Sequence, residues 1–164
     1  RFIWSANLAT LGGALPQAIG GSLAHPNRQT LVVAGDGGFQ MSIADLVTAA
    51  MYQLPIKCFI LNNSAYWFIE NEEATHDGNV ASGTKLLNPD YEKLAEACHC
   101  KGLTIRHADE LDRKIQEALD HKGPVVVNCL VDPDITLIPP ALTKDMVKNY
   151  LKSVKQKVVY FILF

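Results

Sequence analysis

The sequence has little of what defines several large protein classes. Its longest apolar run covers residues 158–164, which is too short to span a bilayer. Its 15 Lys and Arg residues are balanced by 17 Asp and Glu residues and are mostly scattered, so no basic face for nucleic acid is expected. There is no Gly-x-Gly-x-x-Gly dinucleotide fingerprint, no internal repeat and no low-complexity tract. These absences argue against membrane-spanning, nucleic-acid-binding and dinucleotide-binding functions.

Cysteine is also sparse. Cys58 and Cys129 lie in apolar runs, whereas Cys98 and Cys100 flank His99. A structural zinc site needs four ligands, and no second Cys/His pair has suitable spacing, so we do not expect zinc. Thiols without a disulfide pattern fit a reducing, cytoplasmic location. The sequence begins without a methionine or a signal peptide and reads as a piece of a longer polypeptide.

Apolar, β-branched runs alternate with amphipathic patterns, which predicts successive β-α-β units. The expected fold class is α/β, a parallel sheet with helices on both faces. The predicted strands, all expected to be buried, span residues 30–34, 56–61, 102–106 and 124–130. The predicted helices span residues 15–24, 42–53, 88–98, 109–121 and 143–157. Residues 1–142 are expected to form one domain, followed by a C-terminal helix and apolar tail at 143–164.

Local signals mark the starts of two predicted helices. Ser42 precedes Asp45 by three residues, which is close to a capping box, and Asn88 followed by Pro89 offers an N-cap with proline at the first helical position. Residues 71–87 lack periodicity and contain two glycines, so we predict a mobile loop near a site.

A glycine-rich segment directly follows the first predicted strand. Gly35-Asp36-Gly37-Gly38 allows a sharp turn and a close approach to a ligand, and its peptide N–H groups attract phosphate. The Asp36 carboxylate would repel a phosphate unless a cation such as Mg²⁺ lies between them. The segment alone is also consistent with an ordinary turn.

The second predicted strand ends in Asn62-Asn63. Asp36 follows one predicted strand, and one helix and a second strand lead from it to Asn63, so a crossover connection would bring both residues to the carboxyl edge of a parallel sheet. Adjacent strands lie about 4.8 Å apart. One Mg²⁺ ion, with ligands at about 2.1 Å, can therefore contact both side chains.

Together the two pieces resemble the Gly-Asp-Gly…Asn-Asn signature of thiamine-diphosphate-dependent enzymes. The resemblance covers about residues 1–152 and implies the C-terminal cofactor-binding domain, with Asp36, the Asn63 side chain and the Ala65 carbonyl as Mg²⁺ ligands. It further implies that the residues that contact thiamine diphosphate are Ala9, Leu11, Gly35, Asp36, Gly37, Gly38, Asn63, Ala65 and Tyr66.

Further motifs resemble the pyruvate oxidase, or pyruvate dehydrogenase (quinone), branch most closely. The opening residues 5–12 and 15–20 look like the segment that holds the aminopyrimidine, with Leu11 as the wedge between the cofactor's rings and the Ala9 carbonyl as a hydrogen-bond acceptor. The family's aromatic and acidic substrate-side positions fall on Phe68 and Glu72, whereas Trp67 replaces a usual glycine. Residues 83–86 and 138–140 also match this branch weakly. Without the resemblance, Phe68 and Glu72 would be read as a core aromatic and a solvated carboxylate.

The resemblance also implies parts that this chain does not supply. The glutamate that activates the cofactor lies on a pyrimidine-binding domain of a neighbouring subunit, and FAD lies on a middle domain. We therefore expect a homo-oligomeric oxidative decarboxylase of a 2-keto acid such as pyruvate, and an isolated chain without turnover. Alternatives are an acetolactate synthase, a non-oxidative decarboxylase, a non-catalytic cofactor-binding module, or a generic nucleotide-binding α/β domain.

The C-terminal segment combines five lysines between residues 144 and 157 with the apolar residues 158–164. A basic helix with an apolar tip can rest on an anionic membrane from the cytoplasmic side. The alternative is a tail that docks on another domain or subunit.

Overall fold

The computed structural model describes residues 2–4, 8–80, 82–133 and 142–163. Its strands are β1 Thr30–Gly35, β2 Ile56–Asn62, β3 Lys101–Ile105 and β4 Val125–Leu130. Its α-helices are α1 Ala14–Ala24, α2 Asp36–Gln40, α3 Leu46–Met51, α4 Trp67–Glu72, α5 Tyr91–Ala97, α6 Leu111–Asp120 and α7 Lys144–Leu163. The four strands form one parallel sheet in the order β1-β2-β4-β3, which confirms the predicted α/β fold.

Two compact units divide these elements. One unit, Arg1–Asn63 with Leu87–Val131, contains the whole sheet and five of the α-helices. The other, Ser64–Leu86 with Asp132–Phe164, contains α4 and α7. The four strands match the predicted ones to within one residue at every end.

The sheet unit buries apolar side chains on both faces of the sheet. On one face, side chains from α1, α3 and α5 pack against alternate residues of β1 and β2. On the other, α6 packs over β3 and β4 through Ala118 and Ile115. The β1 strand is an edge strand, and on this second face Leu31 and Val33 are 57% and 66% exposed. The expectation that all four strands are buried is therefore wrong for β1.

Gly102 allows α5 to lie directly on β3. A Cβ at this position would come within 2.3 Å of the Glu92 carbonyl oxygen, so any side chain would force the two elements apart. The contact holds α5 against β3, which is the edge strand on the opposite side of the sheet from β1. Asn88 lies shortly before this helix.

Several helix boundaries differ from the sequence predictions. The predicted helix 42–53 is instead a 3₁₀ turn at Ile43–Asp45 followed by α3, and Ser42 makes no capping hydrogen bond. The predicted loop at 71–87 is helical at its start, because α4 continues as a π-helical turn through Glu73–Asp77. The C-terminal helix extends to Leu163 rather than ending near residue 157.

In the smaller unit, α7 packs on the π-helical turn. The Asn149 side-chain amide donates a hydrogen bond of 2.6 Å to the His76 carbonyl. Gly78 adopts a left-handed conformation (φ +66°), and a Cβ there would lie 3.1 Å from the Asn149 carbonyl oxygen. Among the described residues, no helix combines the length and apolar character needed to cross a membrane.

Candidate functional site

Asp36 lies at the carboxyl end of β1 and is only 2% exposed. The preceding residue, Gly35, has an extended backbone, and Asp36 is the first residue of α2. The glycine-rich segment is therefore the start of a short helix, and the expectation that the next helix begins near Ser42 is wrong. The Gly37 amide donates a 3.0 Å hydrogen bond to Asp36 Oδ1, so one carboxylate oxygen is held by the adjacent backbone.

Asn62 and Asn63 lie at the end of β2, beside the end of β1. The two strands are parallel, and Gly35 pairs with Leu61. The next residues, Asp36 and Asn62, therefore lie on the same edge of the sheet, and Asn63 follows directly. Asn62 is buried, whereas Asn63 is half-buried. The topology thus brings the predicted carboxylate and carboxamide to neighbouring strand ends on one edge.

Asn88 connects these two strand ends. Its side-chain nitrogen lies 2.7 Å from Asp36 Oδ2 and 2.7 Å from Asn62 Oδ1, and so donates a hydrogen bond to each. Asn88 is not the predicted N-cap, because α5 begins at Tyr91 and the Asp90 side chain accepts from the Lys93 amide instead. The side chain that looked like a helix signal in the sequence is part of the site.

Further polar side chains surround Asn88. Its oxygen accepts a hydrogen bond from Gln40 Nε2. The Tyr91 hydroxyl lies 3.3 Å from this oxygen and 3.3 Å from the Asp36 carbonyl oxygen, and its one proton can serve either acceptor. The Asn62 amide nitrogen donates to Asn128 Oδ1 at 3.0 Å, which links the site to β4. Burial raises the pKa of Tyr91 to about 12, so its hydroxyl keeps its proton as a donor across the physiological range.

Sequence reasoning missed Asn62, Asn88, Gln40, Tyr91 and Asn128 as members of this network. Two of them could have been found, because Asn62 and Asn128 each lie at or near the end of a predicted strand. The position of Asn88, by contrast, follows from packing between distant segments.

The segment before α1 lies close to the glycine-rich helix. A Cβ on Gly38 would be 3.6 Å from Leu11 Cδ2, so the predicted wedge residue lies beside Gly38 with half of its surface exposed. Ala9 has a positive φ of 44°, a conformation that is rare for residues with a side chain. Strain of this kind is often found near ligands. Residues 5–7 of the same motif, and residues 138–140, lie outside the described residues.

Ala65 and Tyr66 belong to the smaller unit. Ser64 has a positive φ of 58°, so the chain turns sharply immediately after Asn63. Ala65 is buried and forms an antiparallel bridge with Lys85, and the Tyr66 amide donates to the Thr84 carbonyl at 2.8 Å. Both predicted cofactor residues are thus held by the segment 84–86.

Phe68 and Glu72 lie four residues apart on α4 and are both exposed, Phe68 by 60%. Side chains with this spacing share one face of a helix. Glu70 is instead tied to its own unit, because it accepts a 2.6 Å hydrogen bond from Thr84 and forms a 3.2 Å ion pair with Lys85. Burial alone would raise the pKa of Glu70, but these two contacts hold it below its usual range.

The donor set at the sheet edge fits Mg²⁺. The ion prefers carboxylate, carbonyl and phosphate oxygens, and Asp36 and Asn63 supply oxygens of the first two kinds. Gly37 donates to one Asp36 oxygen and Asn88 to the other, so both oxygens lie in defined positions at this edge. In the part of the chain that the structure describes, no three His, Cys, Asp or Glu side chains cluster as metal ligands. An ion here would need further oxygens, and a diphosphate carries them.

Residues 1–129 match the family described as "Thiamine pyrophosphate enzyme, C-terminal TPP binding domain". The chain is 44% identical to the thiamine pyrophosphate-containing protein YdaP of Bacillus subtilis, over 92% of this chain and 26% of that protein. It is 37% identical to the mitochondrial acetolactate synthase catalytic subunit of Saccharomyces cerevisiae, over 84% and 20%. It is also 37% identical to a pyruvate decarboxylase of Neurospora crassa, over 76% and 22%. The chain thus spans about a quarter of the length of these relatives.

Proposed function

Because the chain belongs to the thiamine pyrophosphate enzymes, as their C-terminal cofactor-binding domain, we propose that its strand-edge site binds the cofactor's diphosphate through Mg²⁺. The observation that supports this proposal best is the buried Asp36 carboxylate at the sheet edge that it shares with Asn63. A carboxylate and a diphosphate can lie together only if a cation neutralises both.

In this proposal Asp36, the Asn63 side chain and the Ala65 carbonyl hold the ion. Gly35, Gly37 and Gly38 let the backbone approach the phosphates, Tyr66 contacts the cofactor, and the Ala9 carbonyl and Leu11 hold its rings. When bound, thiamine diphosphate supplies the carbon nucleophile for attack on a 2-keto acid. The residues of this chain would bind and orient its diphosphate and its rings.

The reaction we favour is oxidative decarboxylation of pyruvate, as in the pyruvate oxidase branch. It is supported by the resemblance of residues 5–12, 15–20 and 83–86 to that branch. The exposed pair Phe68 and Glu72, on one face of α4, matches the family's aromatic and acidic substrate-side positions. The second candidate is acetolactate synthesis or non-oxidative decarboxylation, which is favoured by the names of several relatives.

The remaining parts of the enzyme would come from outside this chain. We propose a homo-oligomer in the cytoplasm, in which a neighbouring subunit supplies the pyrimidine-binding domain with the activating glutamate. FAD would occupy a separate domain if the oxidase assignment holds. The chain alone would then bind the cofactor without turnover, and its C-terminal helix would contact a membrane or another domain.

Titration calorimetry of thiamine diphosphate binding in the presence of Mg²⁺ tests the proposed site. Asp36→Asn should abolish Mg²⁺-dependent binding, whereas Asp112→Asn, an exposed position on α6, should leave it unchanged. A wild-type chain that ignores the cofactor, or an Asp36→Asn variant that binds it normally, would refute the proposal. Flavin absorbance and product analysis of the complete enzyme would separate the oxidase from the synthase assignment.

A further inference from the structure

We propose that Asn88 is a positioning residue for the metal site: it fixes the Asp36 carboxylate in the orientation that a divalent cation needs. The inference rests on the proposed function, because it assumes that Asp36 is a metal ligand. It concerns a residue that precedes α5 and lies far from both signature segments in the sequence.

The hydrogen bonds fix which way the Asn88 amide faces. An ionised carboxylate can only accept hydrogen bonds, so the group 2.7 Å from Asp36 Oδ2 must be the Asn88 NH₂. The Asn88 oxygen must then face Gln40, which donates to it, and the Tyr91 hydroxyl 3.3 Å away. The second NH₂ proton is directed to Asn62 Oδ1, which leaves the Asn62 nitrogen to donate to Asn128. One consistent set of donors and acceptors therefore extends from Asp36 to β4.

This arrangement restrains the carboxylate from both sides. Gly37 holds Oδ1 through the backbone, and Asn88 holds Oδ2 through a side chain that itself accepts a hydrogen bond from Gln40. Rotation of the carboxylate would break at least one of these bonds. Partners that orient a ligand in this way typically change metal affinity by about 10–100-fold when they are removed.

The contact with Asn62 gives Asn88 a second effect. Asn62 immediately precedes Asn63, so the same amide that orients Asp36 also holds the end of β2. A single side chain thereby links the two strand ends that carry the proposed ligands.

Mn²⁺ binding, followed by electron paramagnetic resonance in the presence of thiamine diphosphate, tests the inference on the full chain. Asn88→Leu keeps the branched shape and the number of heavy atoms but removes the hydrogen bonds, and it should weaken Mn²⁺ binding by about 10–100-fold. The matched control is Val125→Ala, which creates a cavity at the opposite end of β4 without contacting the network. If Asn88→Leu does not fold, Asn88→Ser, whose hydroxyl is too short to reach both oxygens, replaces it.

A second measurement tests the orientation of the Asp36 carboxylate in the absence of metal. The Gly37 amide resonance should shift in the Asn88 variant, because its acceptor has lost the restraint on its other oxygen, and should remain in place in Val125→Ala. The inference alone is overturned if the Asn88 variant binds Mn²⁺ with wild-type affinity. It is also overturned if Val125→Ala weakens Mn²⁺ binding equally at an equal loss of thermal stability. A wild-type chain that binds no Mn²⁺ overturns the proposed function and this inference with it.

Discussion

The ammonium group of Lys57 lies 2.6 Å from the carbonyl oxygen of His121, and also 2.6 Å from that of Gly123. Lys57 is buried on the central strand β2, and the two carbonyls belong to the loop that joins α6 to β4. The charged side chain thus satisfies two backbone acceptors at the end of α6. Burial lowers the pKa of Lys57, and the neighbouring Cys58 opposes this shift.

Replacing Lys57 by methionine should therefore destabilise the fold. The apolar side chain leaves both carbonyls without this donor, at a cost of about 2–4 kcal/mol in the free energy of unfolding. The control is Lys101→Met, which breaks a partly exposed 2.7 Å ion pair with Glu117 and should cost less than about 1 kcal/mol. Urea unfolding followed by circular dichroism measures both. Equal stability of Lys57→Met and the wild type would show that these contacts are not stabilising.

The Cys98-His99-Cys100 cluster is the end of a helix. His99 has a left-handed backbone with φ +61°, its amide donates to the Glu96 carbonyl, and the Cys100 amide donates to the Ala95 carbonyl. These are the two hydrogen bonds of a Schellman motif, which usually carries glycine at the left-handed position.

His99→Gly should accordingly stabilise the protein. Relief of the left-handed strain is worth about 1–2 kcal/mol, and the added freedom of the unfolded chain offsets about half of it, which leaves about 0.5–1 kcal/mol. His99→Val should have the opposite sign, because a β-branched residue tolerates this conformation least. Thermal unfolding of the His99→Gly and His99→Val variants tests this prediction. A glycine variant that is less stable than the valine variant would contradict the interpretation.

The sequence predicted the parts of the fold that depend on local pattern and strand order. Runs such as that of β4 are β-branched and apolar, so their strands were recognisable, and parallel order alone brings Asp36 and Asn63 to one edge. Asn88 was misread because its local context, directly before proline, imitates a helix start. Its actual partners, Asp36 and Asn62, are brought to it by packing of α5 on the sheet, which no local signal encodes.

The glycine-rich segment was misread for a similar reason. Gly37 and Gly38 have low helix propensity, yet α2 includes both, because tertiary contacts override propensity in a helix of this length. Ser42 is the converse case, because its sequence context predicts a helix cap and its side chain makes no capping hydrogen bond. Its hydroxyl is buried and finds no hydrogen-bond partner among the described residues.

Alkaline pH should destabilise the protein through its buried thiols. Burial raises the pKa of Cys58 to about 12, with a further contribution from Cys100 and an opposing one from Lys57. Because the folded value exceeds the unfolded value of 9.0, the stabilisation is fully present below pH 9 and is lost as the pH rises towards 12. Lys57 has the opposite effect on stability below pH 10.5, because its pKa is lowered in the folded state.

The expected slope is a loss of about 1.4 kcal/mol per pH unit for this thiol once the pH exceeds its unfolded value. Cys58→Val keeps a similar volume without an ionisable group and should remove that part of the slope. Urea unfolding at several pH values between about 8 and 10, under reducing conditions, measures it. An unchanged slope in Cys58→Val would exclude Cys58 as the source.

Glu72→Gln should lower turnover of the complete enzyme without lowering the stability of the fold. Glu72 is exposed on the same face of α4 as Phe68, and its side chain makes no hydrogen bond or ion pair with the residues that the structure describes, whereas Glu70 binds Thr84 and Lys85. We therefore expect Glu70→Gln to lower the melting temperature. We expect Glu72→Gln to lower kcat by about 10²–10⁴-fold, which is the range for a positioned acid or base. Glu96→Gln, at an exposed position on α5, is the control for activity. If Glu72→Gln retains full turnover of a 2-keto acid while binding cofactor normally, Glu72 has no part in the chemistry and the exposed face of α4 serves another contact.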